Sequence, residues 1–380
     1  MTAVFIFGAF FCFFKPSKIK SNLFLIFSAA LLIIVSSLRL NVGFDYGTYS
    51  DFYTKICSQS FSQFLGETRL EIGFCALMQL CSFISHSPVF FFAVVSLIII
   101  SLTAVAIKIS VPSRMVGFSV YFFMTLGFFY GSMNFLRQYL AAAISLFALK
   151  FIASRKFLPF LGIVLLASTM HISALILIPV YFIANIPLNK KSLITFSVLT
   201  VLLYLFSDII LNFVTKYIYQ YYNPDTSLFM QGSGNIYVVV PVLLFLASLV
   251  MKNHLNTIYV NYSLYSLIIY VMMTRHFILE RFAVYFSFVY IFIIPEIILS
   301  LYNSFEQSKL DAAIAKKTAK LQKGGRQKQL KASFKANENS KDSKNIFIAA
   351  TVFFMCLAFM YQLLGHRLNF HGVFPYIILF

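Results

Sequence analysis

LEIGFCALMQLCSFI, Leu70–Ile84, is the stretch on which the fold turns. It is apolar enough to enter a membrane, yet it opens on Glu71 and Gly73 and gives way to Ser85-His86-Ser87-Pro88. If it crosses, every later segment inverts, and Lys108, Arg114, Arg155, Lys156, Lys190 and Lys191 all face outward, against the enrichment of Lys and Arg in cytoplasmic loops. The charge rule is met when Leu70–Ile84 is instead an interfacial or re-entrant helix on the outer side, covered by protein so that its polar backbone is not bare to lipid. Just upstream, RLNVGFDYGTYSDFY, Arg39–Tyr53, is the first polar segment after two apolar runs. It sets Arg39, Asp45, Tyr46 and Tyr49 beside the same outer surface.

Composition supports the membrane reading. The 380 residues are 60% hydrophobic and 11% charged with a mean hydropathy of +0.85, whereas a soluble domain is about a quarter charged. Forty-seven Phe and no Trp indicate helices packed in lipid, with Tyr left to form the interfacial belt. The formal charge of +18 would suit nucleic acid, but the cations lie in loops between apolar runs, where topology explains them, and no nucleic-acid partner is expected. Cys12, Cys57, Cys75, Cys81 and Cys356 show no metal-ligand spacing and read as small buried hydrophobes, with a Cys57 disulfide to Cys75 or Cys81 the alternative on an oxidising face. Met1–Phe14 lacks a basic leader and is followed by Lys15, Lys18 and Lys20, so it reads as a first span with its N-terminus outside.

Taken together the runs predict an all-α, polytopic membrane helical bundle of roughly twelve apolar segments, with the interfacial or re-entrant helix after the first outer loop. Residues 1–302 form its core, and within them Phe157–Met170 and Ile172–Ile186 make a short hairpin with His171 at the outer tip. Leu211–Asn235 is expected as an outer loop. Residues 303–345 carry eleven Lys/Arg against four Asp/Glu, a net of +7, and a Gly324-Gly325 break. They read as a cytoplasmic loop, partly disordered or lying on anionic lipid. Residues 346–380 supply a last span and an outer C-terminal turn.

On this topology, Arg39, Asp45, Glu71, Arg137, His171, Asp208, Arg275, His276, Glu280 and Arg281 all reach the outer boundary from separate segments. A charged side chain deep in a bilayer costs about 2.5–3.5 kcal/mol on insertion scales, so such groups pair with one another or face a watery cavity. In Asn134-Phe-Leu-Arg-Gln-Tyr-Leu-Ala, positions 134, 137, 138 and 141 follow one helical stripe, which turns Asn134, Arg137 and Gln138 the same way with a small Ala below. Arg281 and Tyr285, and likewise His276 and Glu280, are i, i+4 neighbours. Gly43-Phe-Asp-Tyr-Gly has turn chemistry, which gives Asp45 a structural reading beside a functional one.

Several guanidinium groups suit a diphosphate, which they clamp by forked, charge-assisted hydrogen bonds. A nearby carboxylate or imidazole can take the proton of an attacking hydroxyl. The sequence contains no Asp-x-Asp, no Walker-type loop, no Gly-x-Ser-x-Gly and no His-Glu-x-x-His, so neither a metal site nor a cofactor is expected.

At these residues the chain resembles the EpsG/Wzy family of bacterial polysaccharide polymerases. The matching pieces are Arg39-x-x-x-Gly43-x-Asp45-Tyr46-x-x-Tyr49, Glu71-Ile-Gly73-Phe, Leu136-Arg137-Gln138-x-x-Ala141, His171-Ile-Ser173-Ala174-Leu and Arg281-x-x-x-Tyr285-Phe286, followed by Phe374-Pro375-Tyr376 as the C-terminal turn. The basic segment 303–345 departs from that pattern. The resemblance implies a metal-independent glycosyltransferase in the bacterial cytoplasmic membrane. It would join oligosaccharide repeat units carried on undecaprenyl diphosphate at the outer face, with a chain-length regulator protein as a further partner beside membrane lipid. Arg137 and Arg281 would hold the donor diphosphate with Arg39 assisting, Asp45 or His171 would be the base, and Glu71 would position the acceptor or an arginine. Tyr46, Tyr49, Asn134, Gln138, Arg275 and Tyr285 would contact substrate. An O-antigen ligase-like transferase shares donor and face and remains an alternative. A flippase of the same lipid-linked saccharide is a second.

Overall fold

A computed structural model describes residues 2–14, 17–210, 212, 235–321 and 326–368. Helices dominate the described residues, and no strand occurs among them. In order they are α1 (Thr2–Phe14), α2 (Lys18–Ser37), α3 (Tyr46–Ser58), α4 (Phe61–Glu67), α5 (Ile72–Ser82) and α6 (Pro88–Ser110). There follow α7 (Val116–Thr125), α8 (Phe128–Asn134), α9 (Leu136–Ser145), α10 (Leu149–Ala153), α11 (Phe157–Met170), α12 (Leu177–Ile183) and α13 (Lys190–Leu205). The last are α14 (Ile236–Val250), α15 (Thr257–Met273), α16 (Glu280–Ser287), α17 (Tyr290–Leu321) and α18 (Arg326–Leu368). Boundaries fall where the local chemistry stops or starts a helix. Pro88 occupies the opening turn of α6, where its missing N–H costs nothing, and Asn189 with Ser192 forms a reciprocal capping box on α13.

Every residue of α7 is buried, and so are Val289–Ile294 where α17 begins, as expected of helices that are apolar all round and sit at the centre of a bundle. Around this axis α1 packs on α7, α2 on α6, α9 on α11 and α16, and α14 on α15. Ala141, Ala142 and Ala143 are fully buried in α9, and their small side chains let neighbouring backbones approach closely where lipid offers no hydrophobic drive. Phe7, Leu158 and Val250 lie on the outside, largely exposed, as a surface facing hydrocarbon requires.

Length does not confirm the expected number of crossings. Among the described residues, four helical stretches are long and apolar enough to cross: Lys18–Ser37, Pro88–Ser110, Leu136–Ala153 and Lys341–Gly365. The count rises to six if two pairs bent by 48°, Ser113–Thr125 with Phe128–Asn134 and Phe277–Ser287 with Tyr290–Ile314, are each one span. Roughly twelve full spans are therefore not supported, because the remaining apolar helices have 10–17 residues against the roughly 20 that a 30 Å core requires. α5 is one of them. Its 11 residues rise only about 16 Å, half a bilayer core, as an interfacial or re-entrant segment would.

α17 and α18 run into the basic segment from both ends and pack along each other, and Ala, Lys, Gln and Leu, all strong helix formers, supply much of its sequence. Gly324 and Gly325, nearly all of the expected outer loop at Leu211–Asn235, and the C-terminal Phe374-Pro375-Tyr376 lie outside the described residues. All five cysteines are free thiols, so the Cys57 pairing does not occur.

Candidate active site

The two glycines of the sequence motifs set the site's backbone. Gly43 takes φ +102, a left-handed conformation that side chains rarely adopt, and a Cβ there would stand 3.1 Å from the Met133 carbonyl oxygen. The turn it makes brings the Asp45 N–H to Asn134 Oδ1 at 3.1 Å. Asp45 precedes α3, but its carboxylate makes no capping hydrogen bond and is left for another use. Gly73 lies against α11, where a Cβ would come within 2.9 Å of the Thr169 carbonyl oxygen. Only a glycine lets the start of α5 sit this close, and that approach carries Glu71 to the tip at His171.

Glu71 is the hub. Its Oε2 accepts from Arg137 Nη1 at 2.5 Å, and its Oε1 faces His171 Nδ1 at 2.8 Å and accepts from the Ile172 N–H at 3.0 Å. Arg137 Nε also donates to Tyr49 Oη at 3.3 Å. Burial opposes charge on Glu71, but the His171 hydrogen bond, the Arg137 guanidinium and the Ile172 N–H outweigh it and hold the carboxyl down to about 2. Burial lowers the His171 imidazole, and Arg137 and Arg281 add to the effect, so that the net direction is down even beside a carboxylate. A neutral ring facing an ionised carboxylate must carry its hydrogen on Nδ1, which leaves the Nε2 lone pair as an acceptor. No other described residue takes Nε2, nor the Nη2 of Arg137, whose side chain is 24% exposed.

The remaining groups close around this chain. Gln138 Nε2 donates to the carbonyl oxygens of Glu280 and Arg281 at 3.4 and 3.1 Å, tying α9 to the start of α16. Tyr285 Oη and Ser173 Oγ are 3.0 Å apart, which ties α16 to the His171 tip. The charge of Arg281 is felt at both Asp45 and His171. Burial raises the Asp45 carboxyl, and the two arginines, Arg137 and Arg281, offset part of the rise. Asp45, Tyr49, Glu71, Asn134, Arg137, Gln138, His171, Arg281 and Tyr285 therefore form one cluster drawn from segments far apart in sequence.

Several expectations change. Phe135 breaks the helix with ψ 61, so Asn134 ends α8 while Arg137 lies in the first turn of α9, and no continuous stripe joins them. Arg39 is fully buried away from the cluster, donating to the Ser36 carbonyl and hydroxyl and to Ser96 Oγ and lying 4.9 Å from the Phe92 ring centroid. Tyr46 stacks on the same Phe92. Arg39 sits just past α2 where that helix packs on α6, and Tyr46 opens α3 against α6. Arg275 pairs with Asp208 and donates to the Tyr204 carbonyl. His276 joins that second cluster through Ser207 and Asp208 instead of pairing with Glu280, because the helix of Glu280 begins only at Glu280 itself. Ser173 is the group the residue-by-residue reading passed over, although its place two residues from His171 was the available signal.

Among the described residues, no three His, Cys, Asp or Glu side chains gather where they could hold a metal ion. The sequence profile of the EpsG family matches residues 22–314, which takes in every group of the cluster. No curated protein and no solved structure matches the chain.

Proposed function

The chain belongs to the EpsG family of polysaccharide polymerases, membrane glycosyltransferases acting on lipid-linked oligosaccharide, and from that premise we propose that the cluster around Glu71 joins repeat units carried on undecaprenyl diphosphate. The supporting observation is the Arg137–Glu71–His171 chain, in which one buried carboxylate orients a guanidinium and an imidazole whose outward nitrogens have no partner among the described residues. Arg137 and Arg281 hold the donor diphosphate. His171 Nε2 accepts the proton of an acceptor hydroxyl as its oxygen attacks the anomeric carbon. The bond from that carbon to the diphosphate oxygen breaks, and the charge left on the diphosphate is met by the arginines. Glu71 holds the tautomer that leaves Nε2 unprotonated and steadies the imidazolium that forms, a positioning role. Asp45 is the second candidate base, and its partners are the same two arginines.

One candidate span supports an orientation. Arg137 opens Leu136–Ala153, which is long and apolar enough to cross a membrane, and Arg155-Lys156 follows it, so the two lie at its opposite ends. With Arg155 and Lys156 in the cytoplasm, the cluster faces the outside of the cytoplasmic membrane. A chain-length regulator would act there too. Replacing Arg137 by Ala or Lys is expected to reduce long polysaccharide to single units while the protein still inserts. Polymer of normal length would remove the donor clamp from the mechanism.

A further inference from the structure

A narrow cavity, partly open to solvent, lies beside the cluster and contains none of Asp45, Glu71, Arg137 or His171 in its wall. Its lining includes Phe135, Gln138 and Tyr139 at the start of α9, Tyr270 of α15, and Glu280 and Ser287 of α16. A smaller void shares Tyr270 and Ser287 and continues past Pro241 to Tyr290. No hydrogen bond from a described residue reaches the Glu280 carboxylate, although its backbone carbonyl is gripped by Gln138.

Position ties this cavity to the diphosphate. On α9 the diphosphate-facing Arg137 is followed by Gln138, and on α16 the diphosphate-facing Arg281 is preceded by Glu280; Gln138 and Glu280 line the cavity and touch one another. The anomeric carbon of a sugar joined to a diphosphate lies two bonds from phosphorus, through the bridging oxygen, a separation that adjacent residues on two elements can serve. The wall also selects a sugar over a prenyl chain. Prenyl hydrocarbon has nothing to donate to Glu280 and would seal its carboxylate against an apolar partner at a cost of several kcal/mol. A pyranose has hydroxyls to donate to the carboxylate and a C–H face for tyrosine and phenylalanine rings.

We propose that this cavity binds the sugar ring directly joined to the donor diphosphate, with Glu280 accepting hydrogen bonds from its hydroxyls and Tyr139 and Tyr270 walling its apolar face. The assignment rests on the diphosphate reading of Arg137 and Arg281. Full-length protein in lipid nanodiscs would be titrated with two probes: lipid-linked repeat unit extracted from producing cells, and undecaprenyl diphosphate without sugar. The expected wild-type ratio of affinities is at least tenfold in favour of the sugar-bearing lipid. Glu280→Gln and Tyr270→Leu should each cut that ratio at least fivefold while leaving undecaprenyl diphosphate within twofold, and Arg137→Ala should weaken both probes alike. A wild-type ratio near one, a ratio untouched in both Glu280→Gln and Tyr270→Leu, or an equal loss of both probes in those variants would overturn the subsite. Failure of Arg137→Ala to weaken undecaprenyl diphosphate would instead overturn the diphosphate reading.

Discussion

Replacing Glu71 by Gln keeps the shape of the hub and removes its charge. The carboxylate accepts from Arg137 at 2.5 Å, from His171 at 2.8 Å and from the Ile172 N–H at 3.0 Å. An amide has one acceptor oxygen and must aim its NH2 at one of the two sides, so either Arg137 or His171 meets a donor where it had an acceptor. Hydrogen bonds to charged groups contribute about 1.5–3 kcal/mol each, and removing one member of a well-buried pair costs about 3–5 kcal/mol. The side chains of Arg137 and Glu71 are 24% and 14% exposed, which places the loss near the lower end, at about 3 kcal/mol. Activity should fall further than stability, by a factor on the order of 10²–10⁴, because the imidazole loses the group that fixes its tautomer. The assay is polymerisation of lipid-linked units by purified protein, read as chain length on gels across pH, with thermal unfolding alongside. Glu71 raises the His171 pKa against burial, so the acid limb of the rate should move to lower pH in the variant. Wild-type rates within twofold, or an acid limb that stays in place, would refute the hub.

Four other outcomes follow from the same geometry. Gly73→Ala places a Cβ within 2.9 Å of the Thr169 carbonyl oxygen, so α5 must shift at a cost of about 1–3 kcal/mol, and both melting temperature and polymer length should fall. Wild-type activity should hold at the usual histidine value of about 6.5 and decline only at lower pH, because burial lowers His171 and the neutral ring is the working form. On stability the two groups act over different windows. His171, lowered on folding, contributes fully above its unfolded value and loses that contribution as pH falls through its folded one. Glu71, lowered to about 2, contributes above an unfolded value of 4.5 and loses it as pH falls toward 2, measurable as melting temperature against pH. Reporter fusions after Arg155 and Lys190 should read as cytoplasmic; an outside signal at either would invert the proposed face of the site.

Membrane residence, helical class and the polar groups worth watching were all legible in the sequence, because they depend on local quantities. A run of apolar residues has no better place than lipid, and a charge beside such a run has few explanations. Asp45, Glu71, Arg137, His171 and Arg281 were named on that ground. How many runs cross was not legible, since hydropathy measures what a segment can enter and not whether it is long enough, once capped and broken, to reach the far side. Phe135 illustrates the point: nothing in Asn134-Phe-Leu-Arg announces that the helix breaks there.

What only the tertiary structure decided is which charge meets which. Glu71 finds Arg137 and His171, 66 and 100 residues away, while Arg39 turns into a serine-lined contact between α2 and α6 and Arg275 takes Asp208. The sequence by itself determines that each such group needs a partner, because desolvation penalises an unpaired charge wherever it is buried. Choosing among partners depends on the rotation and approach of helices packed by small residues, and those are fixed by the sum of many distant contacts and not by any one stretch.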